Sequence, residues 1–341
     1  MTSNRSVPTL YDVAKTAGVS TATVSRCLNS PEQVVEHTRK RVLEVINQLG
    51  YTPNFGARAM AAKRTYTIGA VIPTMENAIF ARGLQAFQEE LRAGGYTLLV
   101  SSSAYDPQIE EEQIKALIAR GADGLLLIGH DRTKTVSEFL RKQGTPALAA
   151  WSYEADAELP SIGFDNRRAM RSLTEEVLAL GHTRIGVISG ITDGNDRARR
   201  RVEGISDAVT AAGLDMAGVP VIETPYDIAN GAEAFHNLMQ ADTPPTAVIC
   251  GNDVLAAGAL KAAGEMGIEV PRDVSVTGFD DIELAGILTP PLTTVHVPHR
   301  EMGRRAARTL LAMVQKGITG QTVQLEAKVC LRGSLAGPKA D

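Results

Sequence analysis

At 341 residues, 44% apolar but only 4% aromatic, the chain has room for two or three domains with cores built mainly of Ala, Val, Ile and Leu, as in wound α/β sheets. Its net charge of -4 is uneven: the first 64 residues hold nine Lys/Arg against four Asp/Glu, a surplus of five positive charges, which leaves -9 on the remainder and assigns polyanion binding to the N-terminus. There is no apolar run near the ~20 residues of a membrane span, no signal-peptide pattern and no C-x-x-C among Cys27, Cys250 and Cys330, so the expectation is a soluble cytoplasmic protein without metal or cofactor.

Thr9 to Asn29, TLYDVAKTAGVSTATVSRCLN, reads as two short helices around Gly18-Val19-Ser20. Thr9 and Asp12 make a capping box for the first, with Val13, Ala14 and Ala17 on one face. Ser20 caps the second, whose inward positions are Val24 and Leu28. A third helix runs from about Thr38 to Leu49, carrying Val42, Val45, Ile46 and Leu49 inward and closed by Gly50. This is the spacing of a helix-turn-helix, whose second helix enters the major groove. Arg26 can fork onto a guanine, while Thr21 and Ala22 offer a hydroxyl and a small apolar contact. Ser20, Thr23, Ser25 and Asn29 suit phosphate oxygens. The competing reading is a three-helix bundle with a polar outer face.

Residues 52–64, beginning Thr52-Pro53 and rich in alanine, have too little apolar surface for a stable free helix and read as a linker. Beyond them short apolar strands alternate with helical segments. The strands expected are Thr67–Ile72, Thr97–Ser101, Gly124–Ile128, Ala147–Trp151, Arg184–Ser189, Pro220–Glu223, Ala247–Cys250 and Val274–Gly278. Such alternation implies parallel sheets with right-handed crossovers. Eight strands suit two lobes, with Leu159–Asn166 as a crossing between them. Pro290–Pro298 and Val323–Cys330 fall outside the rhythm and are expected to be further crossings, closing a cleft at the strand ends. The expected division is therefore a helix-turn-helix domain over 1–51, a linker over 52–64 and a two-lobed domain over 65–335, its lobes about 65–161 plus 292–322 and 163–290 plus 323–335.

The motif Leu10-Tyr11-Asp12-Val13-Ala14-x-x-Ala17-Gly18-Val19-Ser20-x-x-Thr23-Val24-Ser25-Arg26, followed by Tyr51-x-Pro53-Asn54 and Ala57-Arg58-Ala59, resembles the lactose-repressor and galactose-repressor family of transcription regulators. The likeness continues through Leu180-Gly181-His182, Asn252-Asp253, Gly278-Phe279-Asp280 and Leu292-Thr293-Thr294 to cover nearly the whole chain. It implies an all-α head joined to a periplasmic-binding-protein-like α/β domain, a palindromic operator, a small-molecule effector and a linker that becomes a hinge helix on DNA. In such proteins a leucine wedges into the central minor-groove step. Met60 stands at that position here, apolar and of similar volume. Thr9 and Tyr11 in the head, and Asn54, Arg58 and Lys63 in the linker, complete the implied DNA-facing set.

For the effector the resemblance implies an apolar wall of Ile79 and Phe80, polar contacts from Arg201, Asn252 and Asp280, and further contacts from Trp151, Phe164, Asn195 and Arg197. The alternative is structural: Asn252 and Asp253 as helix caps, Asp280 as a turn cap, and Arg201 as one of a solvated run with Arg197, Arg199 and Arg200. The stretch Ile72–Asp106 resembles gluconate-type repressors, which points to a sugar acid held bidentately by Arg201 or Arg197. The C-terminus lacks the leucine-heptad helix of family tetramers, so the resemblance implies a homodimer. No nucleophile with a base, no metal-ligand spacing and no phosphate-binding glycine loop appears, His130 and His182 fall in loops, and no enzyme is expected. A cytoplasmic sugar-binding protein without regulatory DNA binding is the alternative function.

Overall fold

The computed structural model describes residues 7–52, 64–76 and 78–339. The chain divides into two compact units, Met1–Thr65 and Tyr66–Asp341. The linker positions Asn54, Arg58, Met60 and Lys63 lie outside the described residues.

The first unit is helical: α1 (Leu10–Ala17), α2 (Thr21–Asn29) and α3 (Glu36–Leu49). The capping box forms, Asp12 Oδ2 accepting from the Thr9 amide at 2.9 Å and Thr9 Oγ1 from the Asp12 amide at 3.3 Å. Gly18, at φ 63, takes the left-handed conformation that turns the chain between α1 and α2. Ser20 Oγ then accepts from the Thr23 amide at 3.1 Å. Val13, Ala14, Ala17, Val24, Cys27, Val42, Val45 and Ile46 form the core. Cys27 takes the fully inward place expected of Leu28, which packs only partly buried beside it, and α3 begins two residues before the expected Thr38.

In the second unit β1 (Thr67–Ile72), β2 (Thr97–Ser102), β3 (Gly124–Ile128), β4 (Ala147–Ala150), β5 (Ser161–Gly163) and β11 (Val323–Gln324) form, among the described residues, a parallel sheet ordered β11-β5-β4-β3-β1-β2. Helices α4 (Ala78–Ala93), α5 (Pro107–Ala119), α6 (Lys134–Gln143) and α12 (His299–Lys316) cover it. A second parallel sheet, β7-β6-β8-β9, uses β6 (Ile185–Gly190), β7 (Val221–Thr224), β8 (Ala247–Cys250) and β9 (Ser275–Thr277). It is flanked by α7 (Asn166–Ala179), α8 (Asp196–Ala211), α9 (Ile228–Met239) and α10 (Asp253–Glu265), with the short α11 (Glu283–Ile287) after β9. Alternation divides its side chains: Ile185 and Val187 join one core, Ile188 the other.

Three expectations need correction. Leu159–Asn166 is not wholly a crossing, because Ser161–Gly163 pairs with β4, and the chain leaves the first sheet only at Phe164. Val323–Gln324 pairs with Ile162 and Gly163, so it belongs to the first lobe rather than the second. Trp151 leaves β4 because its φ of 62 breaks the strand. The out-of-rhythm segments otherwise become β10 (Thr294–His296) and β12 (Lys328–Cys330), paired antiparallel to each other.

One apolar core runs from Ile68 and Leu126 of the first lobe through Phe164, Phe279 and Val295 to Ile185 and Ile249 of the second. On the outer layer, α4 and α12 meet so closely that a Cβ at Gly303 would lie 2.0 Å from the Gly83 carbonyl oxygen. Backbone cannot yield as a flexible side chain does, so Gly303→Ala is expected to destabilise the second unit by about 2–3 kcal/mol. Denaturant unfolding measures this, and a loss below about 0.5 kcal/mol, the usual range of surface substitutions, would contradict the close crossing.

Candidate functional site

In the first unit Thr21, Ala22, Arg26 and Asn29 are exposed on α2, as are Thr9, Tyr11 and Ser20 near the helix starts. Thr23 and Ser25 are half-buried. Ser20 and Thr23 share a hydroxyl–hydroxyl bond of 2.9 Å, and Asn29 Nδ2 donates to Ser25 Oγ at 3.2 Å. These four therefore have local partners, which leaves Thr21 and Ala22 in the first turn of the helix and Arg26 in its last turn as the outward side chains without one.

In the second unit the two sheets present their C-terminal ends to one cleft. Ile79, Phe80, Trp151, Asn195, Arg197, Arg201 and Asp280 line it together, from four places spread over about two hundred residues of chain. Phe80 meets Trp151 edge-on at 5.3 Å between ring centroids. Two tyrosines that the sequence did not single out complete the lining: Tyr105, after β2, and Tyr226, after β7, whose rings lie 5.9 Å apart. Burial raises the pKa of both phenols, so they stay protonated.

The backbone is strained here. Ala104, Tyr105, Trp151, Asp280 and Asp281 all have positive φ, between 51 and 102. Such non-glycine conformations cost on the order of 1–3 kcal/mol each and persist where surrounding bonds over-determine them. The Asp280–Asp281 turn is held in that way. The Asp280 amide donates to the Val295 carbonyl at 3.0 Å, Asp281 accepts from Arg332 Nη2 at 2.6 Å, and Asp253 Oδ2 accepts from the Ile282 amide at 2.8 Å.

Arg201 is buried and divided among three partners: Nε donates to Asn166 Oδ1 at 2.9 Å, Nη1 to the Gly251 carbonyl at 2.7 Å, and Nη2 lies 3.4 Å from Asp280 Oδ1. Its guanidinium stacks 3.8 Å above Phe279. The buried polar atoms without a protein partner include Trp151 Nε1, Asn252 Nδ2 and Asp280 Oδ2. Buried polar atoms are rarely left unsatisfied, and two of these three belong to residues that line the cleft, Trp151 and Asp280.

Two expected residues sit elsewhere. Phe164 does not line the cleft but stacks on Phe279 at 5.9 Å, inside the core joining the lobes. Asn252 caps α10, its Oδ1 accepting from the Leu255 amide at 2.9 Å, so the capping alternative holds for its oxygen while its nitrogen stays unpartnered. Asn195 likewise caps α8, yet still lines the cleft.

The arginine run divides: Arg197 and Arg201 are buried, while Arg199 and Arg200 are part-exposed and paired to acids. Asp196 Oδ2 accepts from the His130 amide at 2.8 Å, Arg197 Nη1 donates to the Ile128 carbonyl at 3.2 Å, and Arg199 forks onto Asp131 at 2.7 and 2.8 Å. Arg200 reaches Glu154 at 3.0 Å. One turn of α8 thus latches the second lobe to the loops of the first. Gly129, at φ 71, admits it, since a Cβ there would strike Arg197 Nη1. With the lobes latched the space among the cleft residues is about 20 Å³, the size of one water molecule. A larger ligand requires the latch to open or the lining to shift.

Asp253 lies behind Asp280, with Oδ1 accepting from Thr294 Oγ1 at 2.5 Å. Burial, then the charge of Asp280, pushes its carboxyl up to about 8, against the pull of Thr294 and the Ile282 amide. The folded chain thus binds this proton more tightly than the unfolded one. Its stabilising contribution is complete below about pH 4 and is lost as pH rises through about 8. Asp253→Asn cannot ionise, and its amide oxygen can still accept from the Ile282 amide. Wild type is expected to lose thermal midpoint between about pH 6 and 9, and the variant to lose less. Parallel curves would contradict the assignment.

A family model described as bacterial regulatory proteins, lacI family, matches residues 9–54, and one described as a periplasmic binding protein-like domain matches residues 174–335. Catabolite control protein A of Priestia megaterium is 32% identical over 327 residues, 96% of this chain and 98% of that protein. This chain belongs to the lacI family. Among solved structures, a regulator of this family from Silicibacter pomeroyi superposes with a TM-score of 0.87 at 27% identity, covering 96% of this chain and 99% of that one. The lac repressor dimer bound to operator and an anti-inducer superposes at 0.85 with 26% identity, covering 97% and 100%. As a lacI-family member the chain is a DNA-binding transcription regulator controlled by a small effector, and not an enzyme. Among the described residues no helix is long and apolar enough to cross a membrane, and no cluster of three or more His, Cys, Asp or Glu could hold a metal.

Proposed function

We propose that the chain represses transcription as a homodimer on a palindromic operator and that a sugar or sugar acid in the cleft sets its operator affinity. Residues 1–51 read DNA, residues 52–64 form a hinge with Met60 as the minor-groove wedge, and the two-lobed domain senses the ligand. The lobes part at Phe164 and at the paired strands β10 and β12. The observation that carries the effector reading is the convergence of Trp151 Nε1 and Asp280 Oδ2, both buried and unpartnered, on aromatic walls at the strand ends. Hydroxyl-rich rings need that combination of donors and acceptors beside flat apolar surface.

In the operator-bound relative the lac repressor is a dimer, which supports two heads on two half-sites about one helical turn apart. Ligand binding works by shifting the lobes: the latched closed arrangement and an opened one differ in affinity for the ligand, and their balance orders or releases the paired hinges. A thermal-shift screen of the full chain against sugars and sugar acids tests this, because a ligand present at about 100 times its Kd stabilises by about 2.7 kcal/mol. No shift with any member would contradict the effector class.

A further inference from the structure

We propose that the cleft selects an electrically neutral, hydroxyl-bearing ring and excludes its carboxylate counterpart. The inference rests on the effector reading above and decides between its sugar and sugar-acid branches.

The first observation is the supply of cations. Capture of a carboxylate by arginine uses two parallel N–H groups of one guanidinium. Arg201 spends its nitrogens on Asn166, on the Gly251 carbonyl and on Asp280, and lies flat on Phe279. Arg197 gives Nη1 alone to Asp196 at 2.7 Å and to the Ile128 carbonyl, so its charge, though not its whole fork, is taken up within this chain. Each guanidinium is thus already matched to a carboxylate of this chain.

The second observation is the demand. Asp280 is completely buried, and its Oδ2 has no partner. An anionic oxygen left over after its salt bridge wants O–H or N–H donors from the ligand. A ligand carboxylate brings more acceptors and a like charge into a desolvated space, where repulsion is least screened. The neighbouring space offers no relief. It shares Tyr105 and Arg197 with the cleft, and the other charged residues of its lining are the acids Asp106, Glu110 and Asp131. Glu110 is answered by Arg132 at 3.4 Å and Asp131 by Arg199, so neither side carries a spare cation. Trp151 Nε1, a buried donor on the wall without a protein partner, is satisfied by a neutral hydroxyl oxygen as well as by a charged one.

The test titrates the full chain with matched pairs, D-glucose against D-gluconate and D-glucuronate, D-galactose against D-galacturonate, and D-ribose against D-ribonate. Thermal shift is read together with the emission of Trp151, the single tryptophan, which sits in the cleft wall. At least one neutral sugar is expected to bind, with its acid at least tenfold weaker. In Asp280→Asn that gap is expected to shrink, and the wild-type comparison stands alone if the variant does not fold. An acid that binds as tightly as its neutral partner overturns the charge selection and leaves the effector reading intact. Silence across both series overturns the sugar reading and this inference with it.

Discussion

Arg201→Met is expected to cost the two-lobed unit about 3–5 kcal/mol and to abolish ligand binding. The side chain is 6% exposed and Asp280 is fully buried. Removing the guanidinium leaves a carboxylate in the interior with no countercharge, and it also strips the Gly251 carbonyl and Asn166 of their donor. Breaking a buried pair from one side is far costlier than the net worth of the pair, because the stranded charge keeps its desolvation penalty. The double variant Arg201→Met, Asp280→Asn should therefore recover a large part of the loss, and a thermodynamic cycle from denaturant unfolding measures the coupling. A single-variant loss below about 1 kcal/mol would contradict the reading of Arg201 and Asp280 as a buried ion pair.

Arg26→Ala is expected to weaken operator binding by about 1–3 kcal/mol, roughly fivefold to 150-fold, while changing affinity for unrelated duplex much less. Arg26 is the long exposed side chain one turn into α2, flanked by the short Thr21 and Ala22. A bidentate contact to one base carries sequence information, whereas phosphate contacts from the rest of the head do not. Specificity should relax at one base pair per half-site. Anisotropy titrations with single-substituted operators at fixed salt measure this. Equal losses on operator and random DNA would reduce Arg26 to a phosphate contact.

Much of this molecule is legible in its sequence. The capping box at Thr9, the turn at Gly18 and the cap at Ser20 are local devices, and local devices are written in neighbouring residues. The alternation of strands and helices after Thr67 is equally plain, and the expected strands stand within a residue or two of those observed. The cleft is different, because its walls come from loops far apart in the chain. Tyr105 and Tyr226 carry no local signal: one sits in a left-handed backbone that a Ser-Ala-Tyr sequence does not announce, and the other is a lone aromatic in a loop. Phe164, expected at the ligand, is instead core, since aromatic type alone does not distinguish a wall from the layer behind it. The arginine run hid a separation that helical period gives: Arg197 and Arg201, four apart, face inward, while Arg199 and Arg200 reach the rim of the other lobe. Asp253 and Glu110 owe their roles to burial, which only the fold supplies.

Occupancy of the cleft is predicted to change the grip on DNA. The direct measurement selects a duplex from a random pool with the full chain, then titrates it by anisotropy with and without a ligand whose binding Trp151 emission reports. Operator affinity is predicted to change at least about fivefold at saturation, the lower range of allosteric coupling. An unchanged operator affinity with the cleft fully occupied would contradict the account.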